Sequence, residues 1–353
     1  MLLSLVIPCY NEEGNVKRFY EAAVAAFDGK DFDYEMIYID DGSRDATFSE
    51  ISELHGLDAR VRAISFSRNF GKEAAMYAGL GASRGELTVI IDADLQQRPE
   101  VVLGMMRVLD EDSELDCVAA YQEKRREGRA MSGVKRGFYK LINRISDVDF
   151  VNGASDFRLM RRGMVDAILS MSEYHRFSKG IFSYVGFNTK FIPYRAEERK
   201  VGKTKWGTRK LAKYALDGIF SFSTAPLRIS TFIGFISSLA SIIYLIAVIV
   251  QKLAFGIDVP GYATIVVLVL FLGGVQLFCL GIIGEYLAKM YVQVKGRPIY
   301  IVRKKLDTGA PFFDKSAKEA EAANEEKAVN EAVPTNEAVP TNEAIETKEA
   351  EDE

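Results

Sequence analysis

Three cysteines, two histidines and one tryptophan in 353 residues leave few side chains for thiolate or imidazole chemistry. Cys9, Cys117 and Cys279 are too few and too scattered for a disulfide framework or a zinc site, which points to a reducing compartment. A nicotinamide-type dinucleotide fold needs G-x-G-x-x-G after its first strand, and here that position reads Pro8-Cys9-Tyr10-Asn11. The Gly79-Leu80-Gly81 run falls inside a helical pattern and is read as close helix packing. The apolar start of the chain lacks a basic leader and runs straight into Tyr10-Asn11-Glu12-Glu13, so it is a first buried strand and no export signal. His175 beside Arg176 has no partner at a catalytic spacing and is assigned a surface or structural role.

What is present is an alternation of apolar, β-branched runs with helical patterns. Strands are expected at residues 3–7, 34–39, 61–66 and 87–91, and helices at 15–27, after Asp45 and at 72–82. Such alternation predicts an α/β fold with a mostly parallel sheet and helices on both faces. Ligands in these folds sit beyond the carboxyl ends of the strands. Three of those ends carry polar clusters, Asn11-Glu12, Asp40-Asp41-Gly42-Ser43 and Asp92-Ala93-Asp94, which should meet in one crevice.

Residues 229–250 and 259–284 contain no charged side chain, and each run exceeds the ~20 residues needed to cross a bilayer. Basic residues flank the pair on both outer sides, Lys203 to Arg228 before and Lys289 to Lys305 after, so a hairpin with cytosolic flanks is expected. Leu211, Tyr214, Ala215, Ile219 and Phe222 recur at helical spacing apart from Arg209, Lys210 and Lys213, the pattern of an interfacial helix on anionic lipid. Gly273-Gly274 in the second span suggests close helix packing and self-association.

The formal charge of −4 conceals a split: residues 314–353 carry 13 acidic and 4 basic side chains, and the preceding chain 41 basic and 36 acidic. The tail repeats Asn330-Glu331-Ala332-Val333-Pro334-Thr335 at Asn336 to Thr341, a composition expected to be disordered. The expected divisions are therefore a catalytic domain at 1–202, a juxtamembrane helix at 203–228, spans at 229–251 and 259–284, a basic segment at 285–313 and the acidic tail at 314–353.

Two carboxylates in D-x-D after an apolar strand suit Mg²⁺ or Mn²⁺, hard ions that take phosphate oxygens as further ligands. Such an ion neutralises a departing diphosphate. A carboxylate at the end of the 34–39 strand can accept from a nucleobase N–H or a ribose hydroxyl. The same Asp-Asp-Gly-Ser turn can also cap the following helix through Ser43 or Asp45. Arg68 and Lys72 flank Asn69-Phe70-Gly71, either in a solvated loop or, where the loop borders the crevice, as cations that would meet a diphosphate.

Taken in order, Val6-Ile7-Pro8-Cys9-Tyr10-Asn11-Glu12-Glu13, the Asp-Asp-Gly-Ser turn, Ser67-Arg68-Asn69-Phe70-Gly71-Lys72-Glu73-Ala74-Ala75 and Ile91-Asp92-Ala93-Asp94-Leu95-Gln96 resemble the family 2 glycosyltransferases of the GT-A fold. More narrowly they resemble the polyprenyl-phosphate sugar transferases. The likeness continues through Asn152-Gly153-Ala154-Ser155-Asp156-Phe157-Arg158, Arg199 to Lys205 and Pro226-Leu227-Arg228, and covers about residues 1–305. The resemblance implies that Pro8, Tyr10, Glu12, Asp40 and Asp41 surround base and ribose, with Arg68, Lys72 and Asp92 also on the nucleotide side. It implies that Asp92 and Asp94 hold the metal, that Asp94 and Asp156 are catalytic, and that Arg136, Arg158, Arg199, Thr204 and Lys205 meet donor or lipid phosphate. One departure is Gln96-Gln97-Arg98-Pro99, where many relatives carry an acidic residue or a histidine before the proline.

The expected activity is inverting transfer of a hexose from a nucleotide sugar to polyprenyl (undecaprenyl) phosphate, giving a lipid-linked donor for cell-envelope glycosylation. UDP-glucose leads, with UDP-N-acetylglucosamine and GDP-mannose behind it. The implied setting is the bacterial cytoplasmic membrane, with two spans, both termini and the catalytic domain in the cytosol, a homo-oligomer and no nucleic-acid partner. A processive polysaccharide synthase would need Gln-x-x-Arg-Trp, whereas Trp206 lies in Lys203-Thr204-Lys205-Trp206. A noncatalytic membrane scaffold is the reading from another class, and it predicts no donor turnover.

Overall fold

The computed structural model describes residues 1–122, 154–194, 223–255 and 261–307. Arg136, Arg199, Thr204, Lys205, the stretch expected to form most of the interfacial helix and the acidic tail lie outside the described residues. The first half runs β1 (Leu2–Cys9), α1 (Asn15–Phe27), β2 (Asp33–Asp40), α2 (Thr47–Leu57), β3 (Val61–Phe66), α3 (Lys72–Ala82), β4 (Leu87–Ile90) and α4 (Glu100–Glu111). It continues through β5 (Cys117–Gln122), β6 (Ala154–Arg161), α5 (Arg162–Ser170), α6 (Ser178–Tyr184), β7 (Thr189–Tyr194), α7 (Ala225–Phe255), α8 (Tyr262–Val294) and β8 (Val302–Leu306).

Among the described residues one sheet has the order β7-β5-β6-β4-β1-β2-β3-β8. Its centre is parallel, with β1 between β2 and β4 and with β3 beside β2. Beyond that core the sheet is more mixed than expected: β6 runs antiparallel to both β4 and β5, and β8 antiparallel to β3. Side chains alternate across β1, and the two cores follow from that period of two. Leu3, Leu5 and Ile7 pack with Phe19 and Phe27 of α1, Ile51 of α2 and Met105 of α4 on one face. Val6 packs with Met76 and Leu80 of α3, Met164 and Ile168 of α5 and Ile181 of α6 on the other. Gly79 explains how α3 comes so close, since a Cβ there would lie 2.2 Å from Cγ1 of Val6.

Helices α7 and α8 have 31 and 33 residues. At 1.5 Å per residue each is more than ~45 Å long, against a hydrocarbon core of ~30 Å. Their large apolar side chains face outward: Phe232, Phe235, Leu277 and Leu280 are 63%, 65%, 72% and 66% exposed. Surfaces of that kind require an apolar surrounding, so these helices are suited to a membrane. Among the described residues, a Cβ at Gly273 or Gly274 would meet no atom within 4 Å, so the close packing expected there is not seen among them.

The end of α8 returns to the sheet. Its Gln293 accepts from the Tyr174 amide at 2.8 Å and donates to the Ser172 carbonyl at 3.2 Å. Tyr300 then stacks on Phe66 with ring centres 4.8 Å apart, and the Ser67 amide donates to the Ile301 carbonyl at 2.9 Å. Val302 pairs with Phe66, so β8 begins beside the carboxyl end of β3. The segment read only as basic thus supplies an edge strand. At the opposite end of β8, Asp307 accepts from Arg62 Nε at 2.9 Å and from Arg84 Nη2 at 2.9 Å.

Candidate active site

The loops after β1 and β2 are tied together. The Asn11 amide donates to Ser43 Oγ at 3.0 Å, the Arg44 amide to Asn11 Oδ1 at 2.9 Å, and the Glu12 amide to Thr47 Oγ1 at 2.8 Å. Asn11 adopts a φ of 52°, which asparagine tolerates better than most residues. The N-cap of α2 is Ala46, with no side-chain cap, so neither Ser43 nor Asp45 is the cap itself; Asp45, one residue earlier, instead accepts from the Thr47 amide at 3.1 Å. Tyr10 is exposed at the rim, Pro8 lies within β1, and Glu12 accepts from Asn15 Nδ2 at 2.7 Å.

Asp40 and Asp41 are both buried. Asp40 accepts from the Ser43 amide at 2.9 Å and from Ser65 Oγ at 2.6 Å, which joins the ends of β2 and β3. Asp41 accepts from the amides of Phe70 and Gly71 at 2.6 and 2.9 Å, and so shapes the loop that carries Arg68 and leads into Lys72. Burial pushes the Asp41 carboxyl up to about 6, against the lowering effect of those two amides. Gly42 sits beneath the loop with φ +66°, where a Cβ would come 2.4 Å from the Arg68 carbonyl carbon. The Arg68 guanidinium lies 4.0 Å from the centre of the Phe70 ring.

The D-x-D motif follows β4, and its loop is braced from within. The Gln96 amide donates to Asp94 Oδ1 at 3.1 Å, and Leu95 adopts a φ of 56°. Gln97 is 5% exposed; its Oε1 accepts from the Asp92 amide at 3.1 Å and its Nε2 donates to Ser155 Oγ at 3.2 Å. Lys72 Nζ, at the start of α3, is 2.6 Å from Asp92 Oδ1 and 3.1 Å from Asp156 Oδ2. Three residues expected at one site, borne on α3, the β4 loop and β6, therefore meet. Partial loss of hydration in the crevice opposes the charge of Lys72, whose side chain stays 41% exposed, but Asp92 and Asp156 more than offset it and hold the ammonium above the usual lysine range. Burial likewise acts to raise Asp156, and the cations Lys72, Lys179 and Arg158 outweigh it, leaving the carboxyl below its ordinary value. Asp156 is accordingly ionised at neutral pH and a weak base.

Arg158 differs from its expected role. It is 4% exposed, its guanidinium lies 3.4 Å from the centre of the Phe182 ring, and Nη2 donates to the Ser155 carbonyl at 3.1 Å. In this arrangement the guanidinium is enclosed by protein and is not offered to a phosphate. Desolvation lowers its affinity for the proton.

Glu73 was legible only as part of a motif, yet its carboxylate accepts from both the amide and the hydroxyl of Ser178, fastening the start of α6 to the start of α3. Burial, with Asp156 adding to it, pushes Glu73 from 4.5 up to about 7. The folded state then holds this proton more tightly than the unfolded chain, so the group's contribution falls as pH rises from about 4.5 through 7. Glu73→Gln keeps an acceptor for Ser178 without the ionisation. Between pH 5 and 8 the wild type is expected to lose roughly 1–3 kcal/mol more stability than the variant, checked by urea unfolding across that range. Parallel curves would remove Glu73 from the pH dependence.

Residues 4–169 match the family Glycosyl transferase family 2, and residues 225–290 match the GtrB C-terminal hairpin. The protein CsbB of Bacillus subtilis (strain 168), named as a glycosyltransferase, is 44% identical over 303 residues, which cover 86% of this chain and 92% of that protein. The chain belongs to glycosyltransferase family 2. The SfII prophage-derived bactoprenol glucosyl transferase of Shigella flexneri is 40% identical over 304 residues, 86% of this family 2 glycosyltransferase and 98% of its relative. The prophage bactoprenol glucosyl transferase homolog of Escherichia coli (strain K12) matches at 40%, with 86% and 99% covered. The matched ranges of the glycosyltransferase correspond to the run from β1 into α5, which leaves out the outer strands β7 and β8, and to the paired apolar helices.

Proposed function

We propose that this glycosyltransferase moves a hexose, with UDP-glucose the favoured donor, onto polyprenyl phosphate at the membrane surface, with inversion at the anomeric carbon. The observation that carries the reading is the Lys72 bridge between Asp92 and Asp156, in a sheet whose edge strand β8 is the direct continuation of an apolar helix. That connection favours an acceptor delivered by lipid. The names of the Shigella flexneri and Escherichia coli relatives support the same acceptor class and a glucosyl donor.

In this reading Pro8, Tyr10, Glu12, Asp40 and Asp41 form or support the base and ribose side, while Arg68 and Lys72 approach the diphosphate. Asp92 and Asp94 offer the oxygen donors that Mg²⁺ or Mn²⁺ accepts alongside phosphate oxygens, and among the described residues no third His, Cys, Asp or Glu joins them. When bound, such an ion neutralises charge on the leaving diphosphate. A polyprenyl phosphate is already anionic near neutral pH and needs little deprotonation to attack. The low proton affinity of Asp156 fits that chemistry: it orients Lys72 and the acceptor more than it takes up a proton. The rest of the rate enhancement comes from in-line placement and cationic stabilisation. Arg136, Arg199, Thr204 and Lys205 remain assigned to donor or lipid phosphate, and both flanks of the hairpin to the cytosol.

The test is transfer by purified full-length protein supplied with undecaprenyl phosphate, Mg²⁺ or Mn²⁺ and labelled UDP-glucose, UDP-N-acetylglucosamine or GDP-mannose. Glucose is expected to reach the lipid fastest and to arrive β-linked. Lipid labelled from none of the three donors would leave the scaffold reading standing, and an α-linked product would remove inversion.

A further inference from the structure

The place of Lys72 implies more than contact with a donor, and the argument rests on the sugar transfer proposed above. Its ammonium spans 2.6 Å to Asp92 and 3.1 Å to Asp156, carboxylates presented from the β4 loop and from β6. The lysine side chain is 41% exposed and the Asp92 side chain 30%, so the pair stands open to solvent ions. Asp92 is also one of the two carboxylates suited to a divalent cation. An ammonium and a divalent ion drawn to one carboxylate repel each other, and the half-buried D-x-D pair alone has few other oxygens with which to displace the lysine.

We infer that Lys72 is a resident cation that holds the metal site closed until the donor arrives. Without nucleotide it neutralises Asp92 and Asp156 and ties the loop after β4 to β6. With nucleotide present, the diphosphate supplies both a new anionic partner for the ammonium and additional oxygen ligands for the metal. Lysine suits such an exchange because its charge is compact and its stem flexible. Metal and donor binding thereby become mutually dependent, and a bare ion is kept from occupying the site unproductively.

The experiment measures Mn²⁺ binding to the full-length protein in detergent by electron paramagnetic resonance, without nucleotide and then with UDP. Lys72→Met removes the charge; Lys72→Gln removes it while retaining hydrogen-bond donors, and serves if the first variant folds poorly. In either neutral variant Mn²⁺ should bind the nucleotide-free protein at least ~10-fold more tightly than in wild type, with a smaller gain on adding UDP. Lys72→Arg, which keeps the charge, should bind Mn²⁺ as weakly as wild type. Unchanged or weaker Mn²⁺ binding in the neutral variants would overturn the inference. Sugar transfer by the wild type is scored separately, so a protein that fails to transfer sugar sinks the functional proposal without altering this comparison.

Discussion

Asp94→Asn is expected to lower sugar transfer by at least roughly 10²–10³-fold while leaving the protein folded and inserted in membranes. The substitution is chosen because the loop needs Asp94 in two separable ways. Its Oδ1 accepts from the Gln96 amide at 3.1 Å, a bond that an asparagine oxygen can also accept. The turn through Leu95, with its φ of 56°, is then preserved. What asparagine cannot supply is the anionic charge a divalent ion requires. The measurement is initial-rate transfer of labelled glucose to undecaprenyl phosphate, with Mn²⁺ varied, beside a thermal melt of the same preparation. Equal rates in variant and wild type would remove Asp94 from the mechanism, and a collapsed melting transition would show that its role is structural.

Glu35→Ala is expected to cost about 3 kcal/mol of stability, a large effect for a change away from the crevice. Glu35 receives Ser4 Oγ at 2.6 Å, the Arg84 amide at 2.9 Å and Arg62 Nη1 at 2.6 Å. The Arg62 side chain is 2% exposed and keeps Asp307 and the Ala82 carbonyl, so truncating Glu35 strips a buried guanidinium of one of its two carboxylates and also leaves Ser4 Oγ and the Arg84 amide without that acceptor. For a domain of this size the melting temperature should fall by roughly 10 °C. Glu35→Leu combined with Arg62→Met removes both charges and should recover much of the loss, as apolar replacements of buried ion pairs often do. A double variant no more stable than Glu35→Ala would mean that packing, and not the stranded charge, sets the cost.

How much of this was readable in advance depended on how local the signal was. The strands and helices from β1 to α3 were legible because each apolar run spells out its own period. Asp92, Asp156 and Lys72 were each legible as motif members, but the bridge between them was not, because the place of Lys72 after Phe70-Gly71 pointed to a diphosphate as its partner. Strand β8 was not: Val302–Leu306 reads VRKKL, and three consecutive cations beside a span look like a juxtamembrane charge cluster. Those same cations suit an edge strand, whose outer rim is blunted by exposed charge. Arg62 was illegible for a different reason. It lies inside a mostly apolar strand, and its partners Glu35 and Asp307 are 27 and 245 positions away, so only the fold can show its charge to be matched. Gln97 belonged to a stretch that departed from its relatives, which marked the place but not the inward turn of the side chain that braces Asp92.

The return of the chain through β8 bears on how this protein can be handled. A fragment ended after β7, made to obtain a water-soluble enzyme, would discard a sheet edge along with the greasy helices. The backbone groups of β3 that pair with β8 would be left as an open template for aggregation. Tyr300 would be stripped from Phe66, and Arg62 and Arg84 would lose Asp307. An excision that joins β7 to residue 298 through a flexible linker would keep those contacts, and offers the sounder route to a water-soluble form of the sheet and its donor side, with Arg199, Thr204 and Lys205 removed.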